Sequence, residues 1–123
     1  MKKNILITGA AGDIGKKIIE KYHKKFIIIC VDKNLKKLNL IKKKYKSLQI
    51  YQSDLSNNKS LGLSLKKIIK KNKKIDILIN NAGEIYSDPI IKFKRGRIIK
   101  HSIQNWERII KNNLSSTFNI SSY

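Results

Sequence analysis

Two clusters in this sequence have residue types and spacing suited to chemistry. The first is Thr8-Gly9-Ala10-Ala11-Gly12-Asp13-Ile14-Gly15, between an apolar run and a helical pattern. Glycine reaches backbone angles closed to other residues and lets a ligand approach the main chain. A helix starting directly after such a turn aims its free N–H groups and positive dipole end at it. Strand, glycine turn and helix in that order form an anion site suited to a dinucleotide pyrophosphate. Without a ligand, the same residues make a tight strand-to-helix turn. The second cluster is Asp32, which ends the next apolar run 17 residues after Gly15. An acidic residue at about a 20-residue offset takes the ribose hydroxyls of NAD and repels the 2′-phosphate of NADP. Lys33 offsets part of that repulsion, and an Asp here also serves as an ordinary helix cap. The pattern favours NAD over NADP. His23 and His101 lie far apart and Cys30 is the only cysteine, so neither a metal site nor an internal disulfide is expected.

These residues need elements to position them. Asn4 to Thr8, Phe26 to Val31, Leu48 to Gln52 and Asp76 to Asn80 read as short buried strands. Between them lie three amphipathic helical patterns. Asp13 to Lys25 has Ile14, Ile18, Ile19 and Tyr22 on its buried face. Lys33 to Lys46 has Leu35, Leu38, Ile41 and Tyr45, and Asn57 to Asn72 has Leu61, Leu65, Ile68 and Ile69. Glu84 to Ser102 is irregular, broken by Pro89 and Gly96. A last helix starts near Ser102 to Asn105 and carries Trp106, Ile109, Ile110 and Leu114, with Trp106 read as a packing residue. Alternating strands and helices of this length imply an α/β, Rossmann-like, doubly wound parallel sheet, here of about four strands. No repeat or interdomain linker is visible, so residues 1–123 read as one dinucleotide-binding domain.

The formal charge is +20, from 28 Lys and Arg against 8 Asp and Glu. Lys, Ile and Asn number 25, 24 and 12, a combination that AT-rich codons favour together. The lysines spread over every segment and only three Arg occur, which disfavours a dedicated nucleic-acid surface. The longest apolar run, Phe26 to Val31, is far short of the ~20 residues of a membrane helix. Thr8-Gly9 ends the first apolar run below the ~7 residues of a signal segment, so no membrane partner and a cytoplasmic, reducing location are expected.

In sum, these motifs resemble the N-terminal part of a short-chain dehydrogenase/reductase of the single-domain type. The matching features are Thr8 through Gly15, Asp32, Asp54, the run Asn80-Asn81-Ala82-Gly83, and a later helix with Trp106, Asn113, Leu114 and Phe118. The resemblance implies an NAD(P) cofactor and hydride exchange with a small carbonyl or alcohol. It implies Gly9, Gly15 and the Ile14 backbone at the pyrophosphate, Thr8 and Gly12 among the cofactor-binding residues of the same motif, and Asp32 at the adenosine ribose. It puts Asp54 with the Leu55 backbone at the adenine, and Ala82 and Gly83 against a ribose. Asn80 and Asn81 would bond across the sheet to the glycine turn. Asn113 would be the Asn of the catalytic tetrad, distorting its helix and holding a water. One departure is Asp13, which replaces the family's middle glycine, with Gly12 one place early. Asp13 is read as a cap for the first helix. Asn80-Asn81 by themselves would also suit an ordinary turn.

The family's catalytic Ser, Tyr and Lys are absent from this chain, so the sequence reads as a truncated enzyme, inactive alone. The last helix is then expected to leave an apolar patch exposed. The alternatives are a non-catalytic dinucleotide-binding module and, third, a basic nucleic-acid binder. The full-length parent is expected to be a homo-oligomer. Lys92, Lys94, Arg95, Arg97, Lys100 and His101 form a basic insertion. It either reflects the same lysine drift or attracts an anionic substrate such as an acyl carrier or a nucleotide sugar.

Overall fold

The computed structural model describes residues 2–87 and 89–123, so Met1, at the charged start weighed above as a signal segment, lies outside them. Strand β1 is Asn4–Thr8, buried throughout because its β-branched run lies at the centre of the sheet. β2 (Ile27–Asp32), β3 (Gln49–Gln52) and β4 (Ile77–Ile79) join it in the order β3-β2-β1-β4, every pair parallel. Helices α1 (Asp13–Tyr22), α2 (Leu35–Lys44) and α3 (Asn58–Asn72) supply the crossovers. This is the doubly wound α/β arrangement that the alternation implied.

Side chains alternate across a strand, so β1 and β2 feed two cores. Ile5, Ile7, Ile28 and Cys30 face α1 and α2, where Ile19, Leu38 and Ile41 meet them. Leu6, Ile29 and Val31 face the other side and meet Leu61, Leu65 and Ile68 of α3. Each such aliphatic side chain contributes about 1.5–3 kcal/mol on burial. The chain runs outward from β1 to β2 and β3, then crosses back to place β4 on the opposite flank of β1. Reversal of direction opens a crevice at the carboxyl ends of β1 and β4, where ligands bind in sheets of this kind.

The segment after β4 is more ordered than its composition suggested. β5 (Ile91–Lys94) and β6 (Arg97–Lys100) form an antiparallel hairpin. Its two-residue turn places Arg95 at φ 51° and Gly96 at φ 72°. Both signs match the turn whose twist suits paired strands. α4 (Ile103–Ile110) follows, passes into a π-helical turn at Lys111–Ser115, and continues as α5 (Ser116–Ser121).

Several expected buried positions are instead exposed. Ile14 sits in the first turn of α1, ahead of the stretch where Ile19 reaches the sheet. Leu35 and Ile69 lie at the margins of their buried faces. Trp106 is 57% exposed rather than packed, because α4 buries no residue and this last helix meets the sheet core through Ile120. Leu114 and Phe118 are exposed with it.

Candidate functional site

The glycine turn is shaped by close backbone approach. Gly9 has φ +61°, and a Cβ there would lie 2.7 Å from the Ala82 Cα. A Cβ on Gly15 would lie 2.8 Å from the Ala10 Cα, so the helix could not pack this tightly on the turn. The turn is then latched to the end of β4. Thr8 Oγ1 accepts hydrogen bonds from the Asn81 and Ala82 amides, each at 3.0 Å. Asn81 Nδ2 donates to the carbonyls of Thr8 and Gly9 at 3.1 and 3.0 Å. Asn80 does not share in this latch, contrary to expectation. Consecutive side chains leave a strand on opposite faces, and Asn80 reaches Ser121 Oγ on α5 instead.

The start of α1 lacks a side-chain cap. Gly12 is its N-cap residue and makes no capping bond. Asp13 therefore does not cap the helix as expected. It is the first helical residue, fully exposed, and pairs with Lys16 at 3.3 Å. By contrast, Asn34, Asn57 and Ser102 each accept an amide bond at the starts of α2, α3 and α4. The uncapped helix is the one that opens onto the glycine turn, leaving N–H groups for an anion.

Asp32 spans the next stretch. Its Oδ2 accepts from the Ala11 amide at 3.0 Å and its Oδ1 from the Asn34 amide at 2.9 Å. A carboxylate offers about four lone-pair sites, so both oxygens can still accept ribose hydroxyls. Asp54 Oδ1 accepts from Ser56 Oγ at 2.7 Å and the Ser56 amide at 2.9 Å. The Ser56 hydroxyl, ahead of the Ser56 amide and the charges of Lys33 and Lys111, holds the Asp54 carboxyl below its ordinary range.

Two adjoining concavities cover these residues. One is lined by Asp54, Leu55, Ser53, Ser56, Glu84 and Asn112. The other is lined by Gly12, Ile14, Lys37 and Asn81, among others. They share Gly9, Asp32, Lys33, Ala82 and Gly83, and so make one groove along the carboxyl edge of the sheet. Thr8, Gly15 and Asn80 do not line it. Thr8 is 1% exposed and works behind the groove, on the latch. Lys37, Glu84 and Asn112 line the groove without having been singled out from sequence. The signal for Lys37 was its place one helical turn beyond Lys33.

Asn113 lies in the π-helical turn. Its Oδ1 accepts from the Glu84 amide at 2.6 Å, and its Nδ2 donates to the Glu84 carbonyl at 2.8 Å. Inside the widened turn, the hydroxyls of Ser116 and Thr117 bond the Asn112 and Asn113 carbonyls. The Glu84 side chain takes hydrogen bonds from Arg108 and Asn112. Cys30 is no candidate nucleophile, because burial pushes its thiol up to about 12. Among the described residues there is no group of three or more side chains able to hold a metal, and no helix long and apolar enough to cross a membrane.

Residues 3–123 match the family described as short chain dehydrogenase. The chain belongs to that family. This short-chain dehydrogenase is 36% identical over 122 residues to a 3-oxoacyl-[acyl-carrier-protein] reductase, FabG, of Buchnera aphidicola. The match takes in 98% of this chain and 47% of the reductase. Among solved structures it resembles ElxO with NADP bound, at 26% identity and a TM-score of 0.83. That match covers 100% of this chain and 49% of ElxO. It also shares its fold with a 3-ketoacyl-(acyl-carrier-protein) reductase from Brucella melitensis complexed with NADH, at 19% identity and a TM-score of 0.82, over 98% of this chain and 47% of the other. This short-chain dehydrogenase therefore spans about half the length of the relatives it matches.

Proposed function

We propose that the groove binds a nicotinamide dinucleotide, and that this chain is the cofactor-binding part of a reversible carbonyl/alcohol oxidoreductase. The observation that carries this reading is the continuity of the groove from the uncapped start of α1, past Asp32, to Asp54. The amides at the start of α1 suit a pyrophosphate. Asp32 suits ribose hydroxyls, and Asp54 with the Leu55 backbone suits the adenine. Ala82 and Gly83 present little side chain, so a ribose can lie against the backbone. When bound, the dinucleotide supplies or accepts the hydride. Asn113 holds Glu84 in place at the groove wall and acts as the tetrad Asn of the whole enzyme.

NAD is favoured over NADP because the Asp32 carboxylate stands where a 2′-phosphate would enter. Lys33 and Lys37 line the same stretch and soften the preference. The substrate is a small carbonyl or alcohol of anionic character, drawn by the basic segment after β4. The exposed Trp106, Leu114 and Phe118 support self-association of the parent enzyme through its last helices here.

The test is a fluorescence titration of the purified chain with NADH and NADPH. Saturable binding, tighter for NADH, is expected. Asp32→Ser should narrow or reverse the preference. A folded chain that binds neither dinucleotide contradicts the proposal.

A further inference from the structure

Glu84 is held at four points by one stretch of helix. Its amide donates to Asn113 Oδ1 at 2.6 Å, and its carbonyl accepts from Asn113 Nδ2 at 2.8 Å. Its carboxylate accepts from Arg108 on one oxygen and from Asn112 on the other. Asn112 and Asn113 are neighbours in sequence, and an α-helix would turn their side chains about 100° apart. The widened turn at Lys111–Ser115 lets both reach the same residue. The Glu84 side chain is 26% exposed, so its carboxylate is fixed in direction and partly shielded from water. The Arg108 guanidinium offsets its charge, so it repels an anionic ligand little.

Glu84 lies at the end of the groove proposed above for the adenine. It lines the same hollow as Asp54, Leu55 and Asn112, and not the concavity at the start of α1. Asp54 follows β3 and Glu84 follows β4, the two outer strands, so each flank of the sheet contributes a carboxylate to this hollow. Asp54 Oδ1 is already engaged by the Ser56 hydroxyl and amide. An ionised carboxylate only accepts, at about four lone-pair sites, so the bonds from Arg108 and Asn112 leave Glu84 about two. The hollow therefore presents acceptors from both flanks. An exocyclic amine on a base supplies the matching donors. A carbonyl in the same place sets oxygen against oxygen.

We propose that Glu84 is a specificity-determining residue of the groove: its carboxylate accepts a hydrogen bond from the exocyclic amine of the bound purine, so that the site selects an amino purine over an oxo purine. The proposal rests on the dinucleotide reading above and adds a base-reading residue to it. Arg108, Asn112 and Asn113 are positioning residues, which hold the carboxylate at the hollow. A site built around a hydrogen-bonded group rejects an analogue that lacks it, because the partner is then left unpaired away from water.

The experiment titrates the full chain with NADH and with reduced nicotinamide hypoxanthine dinucleotide, which carries a C6 carbonyl in place of the amine. Both have the same dihydronicotinamide, so one fluorescence signal reads both. The wild-type chain should bind NADH tighter by about tenfold or more. Glu84→Gln keeps the length of the side chain and removes the carboxylate. It should reduce that ratio to about threefold or less, chiefly through loss of NADH affinity. Glu84→Asp, which withdraws the carboxylate, should reduce it too, with the melting profile of each variant confirming that the fold is kept. The Asn112 side-chain amide, bonded to the same carboxylate, gives a reading without any variant. At saturation its NMR signal should move more with NADH than with the hypoxanthine dinucleotide, and equal movement overturns the proposal. So does a ratio unchanged in Glu84→Gln, whether both affinities fall together or neither does, since Glu84 would then be a wall and not a reader. NADH binding without discrimination by the wild-type chain overturns the base-reading role alone. A folded chain that binds neither dinucleotide overturns the dinucleotide reading, and this proposal with it.

Discussion

Thr8 shows how one hydroxyl can serve a binding site without touching a ligand. Its Oγ1 accepts from two amides, Asn81 and Ala82, and donates to the Ile79 carbonyl at 3.4 Å. The residue is buried, so removal of the oxygen strands two N–H groups away from water. We expect Thr8→Val to destabilise the fold by about 2–4 kcal/mol in a denaturant melt, and Thr8→Ser to recover most of that. An unchanged midpoint for Thr8→Val would mean that the latch carries no load. The family motif placed Thr8 among the cofactor-binding residues, and in the fold it sits behind the groove. A motif names which residues recur together, and does not say which face the ligand and which brace the backbone. Asn80 fell to the same limit and Asn81 did not, because its amide leaves the strand on the side of the glycine turn.

At the scale of elements, strands and helices with strong periodicity were legible. β1 matches its expected span, and the span of α3 differs from its expectation only in that Asn57 is its cap. The hairpin was not legible. Ile91-Lys92-Phe93-Lys94 does alternate, but its turn is Arg95-Gly96, and only the second residue announces a positive φ. Pro89 close by argued for irregular chain. The face of the last helix was misread for a different reason. Helical spacing gives a stripe, and the stripe of Trp106 and Leu114 has no sheet beneath it in this chain. The elements also carry a local cost at Lys73, which ends α3 at φ 69°. A non-glycine residue there stores strain of order 1–3 kcal/mol. We expect Lys73→Gly to raise stability by about 1 kcal/mol, read as a higher thermal midpoint. A lower midpoint would show that Lys73 is not strained.

For the whole molecule, the charge of +20 and the groove pose separate questions. Lysines spread over α1, α2 and α3, while the groove keeps Asp32, Asp54 and Glu84 among its lining residues. Acidic groups there suit hydroxyls and amino groups, and an uncapped helix start beside them suits a phosphate. The fold supplies that combination through topology: reversal at β1 and β4 brings Gly9 against Ala82. The order of elements was enough to foresee the crevice. Its continuity was not legible, since it depends on backbone approaches of a few ångströms that no single-residue pattern encodes.

The central claim is that a dinucleotide lies along this groove with its pyrophosphate at the start of α1. Amide NMR of the labelled chain during titration with NADH tests it most directly. The account predicts saturable shifts at Gly9, Asp13, Ile14 and Gly15, together with Ala82 and Gly83, and little change in β5 and β6. Shifts confined to the hairpin, or none in a folded chain, would contradict it.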